Sequence, residues 1–300
     1  MIEVTVEVYH KNAHLSNQKI SAPFHLPVTK GWYTAYHPPP HPKKKGDSAM
    51  AVFQFTFKRY EKKYMLTAEQ YDLLLERLEG RMVDDKFAHS LINNVYYDTP
   101  EFLLIRRSIE KPVYKEKLRV RSYGVPTADD KVFVEIKKKY KKVVYKRRIH
   151  VPLKEAVPFL EGKAPCPKPG QIGNEISYFI SYYKGIAPAM FISYERYSLA
   201  SPTDSVLRIT FDKNIVWRTT DLDLTKGVYG EKLDLDGKIL MEVKIPDAMP
   251  LWLSALFDEL KIAPTSFSKY GRAYGKALKD GVLDPQAAAK AYFLAEMAGS

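Results

Sequence analysis

The chain has 300 residues, 45% of them apolar, which is enough for one large core or two modest ones. Lys and Arg outnumber Asp and Glu by 47 to 35, so the formal net charge is +12. This excess predicts anionic partners: nucleic acid, an acidic membrane surface or a phosphorylated small molecule. The single cysteine, Cys166, excludes an internal disulfide framework and a multi-cysteine metal site. No apolar run approaches the ~18–20 residues that span a bilayer, and no signal peptide is visible, so we expect a soluble cytoplasmic protein.

The first 49 residues differ in composition from the rest. In "AYHPPPHPKKKGDSAM", residues 35–50, a proline cluster and a lysine run precede Met50. Such a composition is typical of a disordered extension or linker. It also fits an upstream stretch before a natural start at Met50. We therefore predict an extension over 1–49, a folded domain over 50–275 and a helical tail over 276–300.

The folded part begins with a predicted strand at 53–65. Thr67 and Gln70 then form a capping-box pattern before "AEQYDLLLERLEG", and Gly80 suits the end of that helix. Further strands are predicted at 91–98, 112–123, 131–139, 142–151, 190–200, 205–216 and 238–246. Helices are predicted at 153–161, 174–185, 250–261 (with Pro250 in the first turn) and 284–298. These eight strands predict an α+β fold, an antiparallel β-barrel tunnel with helices packed around it.

Most of the predicted strands carry charge on one face and apolar side chains on the other. In "VFVEIKKKY", for example, Glu135 and Lys137 share one face, while Val134 and Ile136 share the opposite one. A half-exposed sheet gives such an alternation by itself. Here, however, the polar faces concentrate Arg and Lys, with acids spaced among them. A barrel whose apolar exterior is covered by helices turns these charges inward, and the interior tolerates them if it is wet and receives a polyanion.

The motifs "RYEKKY", "LRVRSYG", "VFVEIKK", "SYERYS", "LRITFD", "LMEVKIP" and "SFSKYGR" occur in this order along the chain. In this series the sequence resembles the VTC polyphosphate polymerase domain of the triphosphate tunnel metalloenzyme superfamily, over about residues 53–275. The resemblance implies an eight-stranded tunnel in which the γ-phosphate of ATP is transferred to a growing polyphosphate chain. It also implies Mn²⁺ or Mg²⁺ as cofactor, and ATP and polyphosphate as partners, with no nucleic acid required.

The resemblance assigns roles residue by residue. Glu242 matches the metal ligand. The catalytic cations match Lys63, Arg119, Arg121, Lys137, Arg196, Arg208, Lys244 and Lys269. The substrate-binding positions match Arg59, Lys117, Lys146, Tyr194 and Ser268. Glu135 and Glu61 are interpreted as partners that brace the tunnel wall, and Asp212 as either a supporting partner or a turn former. Of the run Lys137–Lys142, only Lys137 is expected to face inward.

Two positions and the length of the N-terminal stretch depart from the family pattern. The hydrolase and cyclase branch opens with Glu-x-Glu-x-Lys, whereas this chain has Arg59-x-Glu61-x-Lys63, which favours the polymerase type. Ser266 stands where that type has a further lysine. The 49 N-terminal residues are also too short for the regulatory domain and membrane segments of the eukaryotic polymerases.

Two other functions stay open from the sequence: a tunnel-type triphosphatase, and a non-enzymatic protein that binds RNA or polyphosphate. No Gly-x-x-x-x-Gly-Lys-Ser/Thr loop occurs, which argues against a P-loop kinase. The sequence leaves the oligomeric state, the chain length of the product and a membrane partner open.

Overall fold

The computed structural model describes residues 4–6, 20–22, 60–141, 143–246 and 248–298. By its internal contacts the chain divides into two units, Met1–Gln54 and Phe55–Ser300. In the first unit, β1 (Val4–Val6) pairs antiparallel with β2 (Ile20–Ala22). Most of the predicted extension over 1–49, the first part of the strand at 53–65 and Arg59 lie outside the described residues. No described helix is long and apolar enough to cross a bilayer.

In the part of the second unit that the structure describes, one antiparallel sheet has ten strands. In chain order these are β3 (Tyr60–Leu66), β4 (Val83–Asp98), β5 (Tyr114–Tyr123), β6 (Lys131–Tyr140), β7 (Val143–Pro152), β8 (Ala187–Ala200), β9 (Arg208–Arg218), β10 (Glu231–Lys232), β11 (Ile239–Ile245) and β12 (Pro264–Thr265). Their order across the sheet is β12-β3-β11-β9-β8-β4-β5-β6-β7, with β10 beside β9. The eight predicted strands are all present. Two further strands, β10 and β12, were not predicted, and each is only two residues long.

Among the described residues, seven helices accompany the sheet: α1 (Ala68–Leu78), α2 (Leu103–Ile109), α3 (Leu153–Leu160), α4 (Gln171–Tyr182), α5 (Leu251–Glu259), α6 (Lys269–Lys279) and α7 (Pro285–Ala298). The predicted start of α1 is confirmed: Thr67 Oγ1 accepts from the amide of Gln70, and Gln70 Oε1 accepts from the amide of Thr67. Gly80 follows this helix with a φ of 73°, as the C-terminal turn requires. The α+β class is confirmed.

The outer faces of the strands pack under helices, as the alternation predicted. Leu118, Val120, Val134 and Ile136 belong to one core with residues of α3 and α4. A second core joins the apolar sides of β3, β9 and β11 to α1 and α5. The charged faces of these strands therefore lie on the other side of the sheet.

A third core has a different arrangement, because α6 packs on the face of β4 and β8 that also carries charged and polar side chains. Tyr270 of α6 stacks on Tyr96 of β4, with ring centroids 4.5 Å apart. Met190, Ile192 and Trp217 complete this core. The first turn of α6 is thereby held beside the charged face.

The sheet curls until distant strands approach each other. In a flat sheet β6 would lie roughly 28 Å from β3, because six interstrand steps separate them. Instead, Lys137 Nζ on β6 is 3.7 Å from Glu61 Oε1 on β3. The charged faces therefore enclose a common interior. Hydrogen bonds among the described residues do not join β12 to β7, so full closure of the barrel stays a prediction.

Candidate active site

The centre of the charged interior is a network around two carboxylates, Glu242 on β11 and Asp212 on β9. Lys63 Nζ lies 2.9 Å from Glu242 Oε1, because Lys63 is directly opposite Glu242 in the β3–β11 ladder. Arg196, opposite Asp212 in the β8–β9 ladder, donates to both Asp212 oxygens at 2.6 and 2.7 Å and to Glu242 Oε2 at 3.1 Å. Lys269, the first residue of α6, contacts Asp212 and lies 3.6 Å from Glu242 Oε1. Three cations from three elements thus converge on two acids.

These groups keep one another ionised despite their burial. Burial raises the pKa of Glu242, but Lys269, Lys63 and Arg196 outweigh it and hold that pKa well below its usual range. Burial lowers the pKa of Lys63, yet the neighbouring Glu242 and Glu61 raise it overall. Glu242 and Lys63 are therefore both charged at neutral pH, and their pairing is preorganised rather than neutralised by proton transfer.

A second network surrounds Glu135 on β6, whose side chain is 1% exposed. Arg119 Nη2 and Lys146 Nζ each lie 2.7 Å from a Glu135 oxygen, and Arg148 and Arg121 lie at 3.8 and 3.9 Å. Burial raises the pKa of Glu135, but Arg119, Arg121 and Lys146 bring it down to about 2. Glu135 therefore braces four cations, the wall-supporting role expected from the sequence.

Tyr194 of β8 connects the two networks. Arg121 of the Glu135 network donates to the Tyr194 hydroxyl at 3.2 Å and to Asn94 Oδ1 at 2.9 Å. From the other network, Lys269 Nζ and Arg196 Cζ lie 4.2 and 5.3 Å from the centre of the Tyr194 ring. Burial raises the pKa of this phenol, but Arg121, Arg196 and Lys269 outweigh it and lower the pKa overall.

The start of α6 forms another side of the interior. Ser268 caps this helix by accepting from the amide of Gly271 at 3.1 Å, and its hydroxyl also accepts from Lys117 Nζ at 3.0 Å. Burial and then the neighbouring Lys137 lower the pKa of Lys117 to about 7. The helix N-terminus and Lys117 both favour an anion at this place.

The remaining predicted residues lie nearer the rim. Lys137 reaches Glu61, and its side chain is 40% exposed. Lys244 neighbours Glu242 along β11, and burial followed by Arg196 lowers its pKa. Arg208 forms an ion pair with Asp85 at 3.4 Å, and its side chain is 49% exposed. Arg59 lies outside the described residues, and the structure brings the other predicted cations to one interior, with Arg208 at its rim on the same face as Lys244, which is directly opposite it.

Several site residues were missed by the sequence analysis. Asn94 and Tyr96 of β4 stand opposite Arg121 and Arg119, and the Tyr96 hydroxyl accepts from Arg119 at 3.2 Å. Because β4 has no charge at these positions, the charge pattern could not reveal them. Arg148, in contrast, shares the face of Lys146 two residues earlier, and that alternation was a usable signal.

The interior fits a hard divalent cation only in part. Glu242 offers carboxylate oxygens, and Thr210 directly opposite it has a buried hydroxyl with no hydrogen-bond partner among the described residues. The same part of the chain contains no group of three or more His, Cys, Asp or Glu side chains placed to hold a metal. A Mn²⁺ or Mg²⁺ ion here would therefore be held by Glu242 together with oxygens of a bound phosphate, a ligand set typical of Mg²⁺.

A comparison with protein families agrees with the resemblance seen in the motifs. The model of the VTC domain family matches residues 58–278. A search of curated proteins finds no match. Among solved structures, the chain is similar to a putative adenylate cyclase from Bacillus halodurans, with 13% identity, 70% of this chain and 95% of that chain covered, and a TM-score of 0.45. It is also similar to a putative adenylyl cyclase from Hippeastrum with a dominant triphosphatase activity, at 16% identity, 75% and 97% coverage and a TM-score of 0.43.

The family match spans more than two thirds of the chain and contains every site residue described above. It begins just before β3 and ends within α6, so it covers the whole sheet and the helix start that carries Ser268 and Lys269. The chain belongs to the VTC domain family.

Proposed function

We propose that this chain is an ATP-dependent polyphosphate polymerase, which transfers the γ-phosphate of ATP to a growing polyphosphate chain with Mn²⁺ or Mg²⁺. The coarser part of the proposal, an enzyme acting on triphosphates, is supported by membership of the VTC domain family. The observation that carries it is the enclosed interior, where cations exceed acids and are fixed by buried Glu135, Asp212 and Glu242.

The arrangement suits phosphoryl transfer because that reaction needs alignment and charge neutralisation more than covalent help from the protein. Arg119 and Arg121 are held in fixed orientations by Glu135, Asn94 and Tyr194, so their guanidinium groups can bind phosphate oxygens with little loss of entropy. Lys63, Arg196 and Lys269 offer further positive charge at the Glu242 end of the interior.

No side-chain nucleophile or general base is required for this reaction. The terminal phosphate of the acceptor chain is ionised at neutral pH, since the second pKa of a phosphate monoester is about 6. A divalent ion at Glu242 would neutralise charge that develops on the transferring phosphoryl group. The protein's own part is to bind donor and acceptor phosphates in line and to keep their charges compensated.

The test is to incubate the purified protein with ATP and Mn²⁺ and to resolve the products on a gel. We expect long polyphosphate to accumulate, and Arg119→Ala and Glu242→Gln each to reduce the rate by about a hundredfold or more. Lys138→Ala is the matched control, because Lys138 follows the site residue Lys137 on β6 but lies on the outer face, opposite Glu116.

The products distinguish the competing functions. Free phosphate without polymer would contradict the proposal and indicate a triphosphatase. Binding of polyphosphate or RNA that survives Glu242→Gln, with no turnover by the unaltered protein, would indicate a non-enzymatic polyanion-binding protein.

A further inference from the structure

The charged face of β5 and β6 continues beyond the residues assigned to the site. The ladder pairs Arg119 with Glu135, then Lys117 with Lys137, then Lys115 with Lys139, without a change of register. Alternate residues of a strand share a face, so Lys115 and Lys139 lie on the same face as Arg119 and Glu135. The expectation that only Lys137 of the run Lys137–Lys142 faces inward is therefore wrong for Lys139. The four lysines at 115, 117, 137 and 139 are called the lysine quartet below.

The lysine quartet has little compensating negative charge. Like charges directly opposite each other on adjacent strands are destabilising. Lys137 lies 3.7 Å from Glu61, while Lys115 and Lys117 donate to uncharged oxygens, the Ser108 carbonyl at 2.9 Å and the Ser268 hydroxyl at 3.0 Å. Burial and then Lys139 and Lys111 lower the pKa of Lys115. The folded chain thus holds four lysine side chains together at a cost, and the lowered pKa values of Lys115 and Lys117 reflect burial and the neighbouring cations.

The spacing of the quartet fits a linear anion. Successive rungs on one face of a strand are about 7 Å apart, so the three rungs from Arg119 to Lys115 cover roughly 14 Å. A single phosphate or a triphosphate is shorter than this distance. A chain of many phosphates can neutralise all three rungs at once, because it carries a charge on every unit.

We propose that the lysine quartet is a second polyphosphate-binding segment, an outer track that holds the part of a long chain extending beyond the active site. This inference rests on the proposed function, since it takes linear polyphosphate as the substrate class. Lys115 and Lys139 are the distinguishing residues, because Lys117 and Lys137 also belong to the inner site. The track binds chains longer than a triphosphate and contributes little to short ones.

The test compares two double variants with the same change of charge. Lys115→Gln/Lys139→Gln removes the outer rung. Lys138→Gln/Lys141→Gln is the matched control, because Lys138 lies on the opposite face of β6 and Lys141 in the following turn. Binding of long-chain polyphosphate and of inorganic tripolyphosphate is measured by fluorescence anisotropy competition at several salt concentrations.

For the quartet variant we expect roughly tenfold weaker binding of long polyphosphate, and a salt dependence (the slope of log K against log salt) smaller by about 2. Tripolyphosphate binding should change less than about twofold, and the control variant should behave like the unaltered protein. The quartet variant should also melt at the same or a higher temperature in low salt, since repulsion is relieved. That readout confirms that it folds.

Equal weakening by the quartet and control variants would overturn the inference, because it would indicate general attraction to a basic surface. An unchanged affinity for long chains would overturn it too, as would tighter binding of single-stranded RNA than of polyphosphate of equal charge. The outcome is separable from the proposed function. If no polymer is made but the affinity for long chains depends on the lysine quartet, the polymerase proposal is wrong and the outer track is supported. If polymer is made but the quartet variant binds long chains as tightly as the unaltered protein, only the outer track is wrong.

Discussion

At the scale of single residues, the site is defined by how acids and cations fix one another. Glu135, Asp212 and Glu242 are each less than a tenth exposed, and each contacts at least two cations. Buried charges of this kind are costly unless paired, so the acids hold the cations in place before any phosphate binds. Lys117 is different, because its contacts are to a hydroxyl and to other cations.

Lys117 predicts a pH dependence of anion binding. Its pKa is about 7, because burial and then nearby Lys137 disfavour its charged form, and a bound phosphate favours that form. Below pH 7 Lys117 is already protonated, so affinity is constant. As pH rises above 7, binding requires proton uptake and affinity for polyphosphate falls. Lys146, with a pKa of about 8, extends the fall to higher pH.

The measurement is the affinity for long polyphosphate between pH 6 and pH 9, where the internal phosphates of the chain do not titrate. Lys117→Arg should flatten the part of the curve between pH 7 and pH 8, because a guanidinium stays charged throughout. A Lys117→Arg profile that overlays that of the unaltered protein would contradict this role.

Glu242 predicts that metal and phosphate bind together. Lys63, Arg196 and Lys269 lie between 2.9 and 3.6 Å from its oxygens, and a dication arriving alone would meet their repulsion. We expect equilibrium dialysis to show weak Mn²⁺ binding by the protein alone and at least tenfold tighter binding with tripolyphosphate, after correction for the complex in solution. Lys63→Met should strengthen Mn²⁺ binding without phosphate; weaker binding by that variant would refute the explanation.

At the scale of elements, the strands and their charged and apolar faces were predicted from the sequence, but helices α2 and α6 were not. Charged and apolar residues alternate in "VFVEIKKKY" and "LMEVKIP", and a period of two reveals which side chains share a face. In contrast, α6 contains Gly271 and Gly275, which lower helix propensity, and α2 has seven residues. Tertiary contacts stabilise both helices. For α6 a local signal was present, because Ser268 can cap a helix and Tyr270, Ala273, Tyr274 and Ala277 follow at helical spacing, but the two glycines weaken that signal.

The hydrogen bond that holds α6 against Asp98 gives a prediction on stability. The Tyr270 hydroxyl donates at 2.9 Å to Asp98, whose carboxylate also accepts from the amides of Leu104 and Ile105 at the start of α2. Tyr270→Phe leaves one acceptor site of the buried Asp98 unfilled, so it should lower the free energy of unfolding by about 1–2 kcal/mol in urea denaturation. Tyr274→Phe, one turn later in α6, is the control.

The same variant tests whether α6 positions Lys269. Because Lys269 precedes Tyr270, a looser anchor should raise the KM for polyphosphate more than it lowers kcat. A stability loss without any kinetic change would limit Tyr270 to a structural role.

At the scale of the whole molecule, the curl of the sheet concentrates positive charge in its interior. Strands that are six positions apart in the sheet bring their charged faces together. The cations therefore repel one another more strongly in the folded state than in the unfolded chain, where they are farther apart. The sequence predicted this interior from the excess of Arg and Lys. It could not predict the ion pairs, which depend on how strands far apart in the chain meet.

A polyanion should therefore stabilise the fold strongly, and most at low ionic strength. Saturating tripolyphosphate at about 100 times its Kd adds about 2.7 kcal/mol to the free energy of unfolding. We expect a melting temperature several degrees higher, an increase that shrinks as salt screens the charges. An equal shift with phosphate-free sodium sulfate at the same ionic strength would contradict specific binding.

The position of Tyr194 between the two networks gives the protein an intrinsic optical reporter. Its phenol ionises more readily than an ordinary tyrosine because Arg121, Arg196 and Lys269 outweigh the effect of burial. A bound phosphate chain neutralises those same cations, so the phenol should take up its proton again. A spectrophotometric titration should then show this phenol ionising at a higher pH when tripolyphosphate is bound, and Tyr194→Phe should abolish that difference. Occupancy of the site can thus be followed without any label.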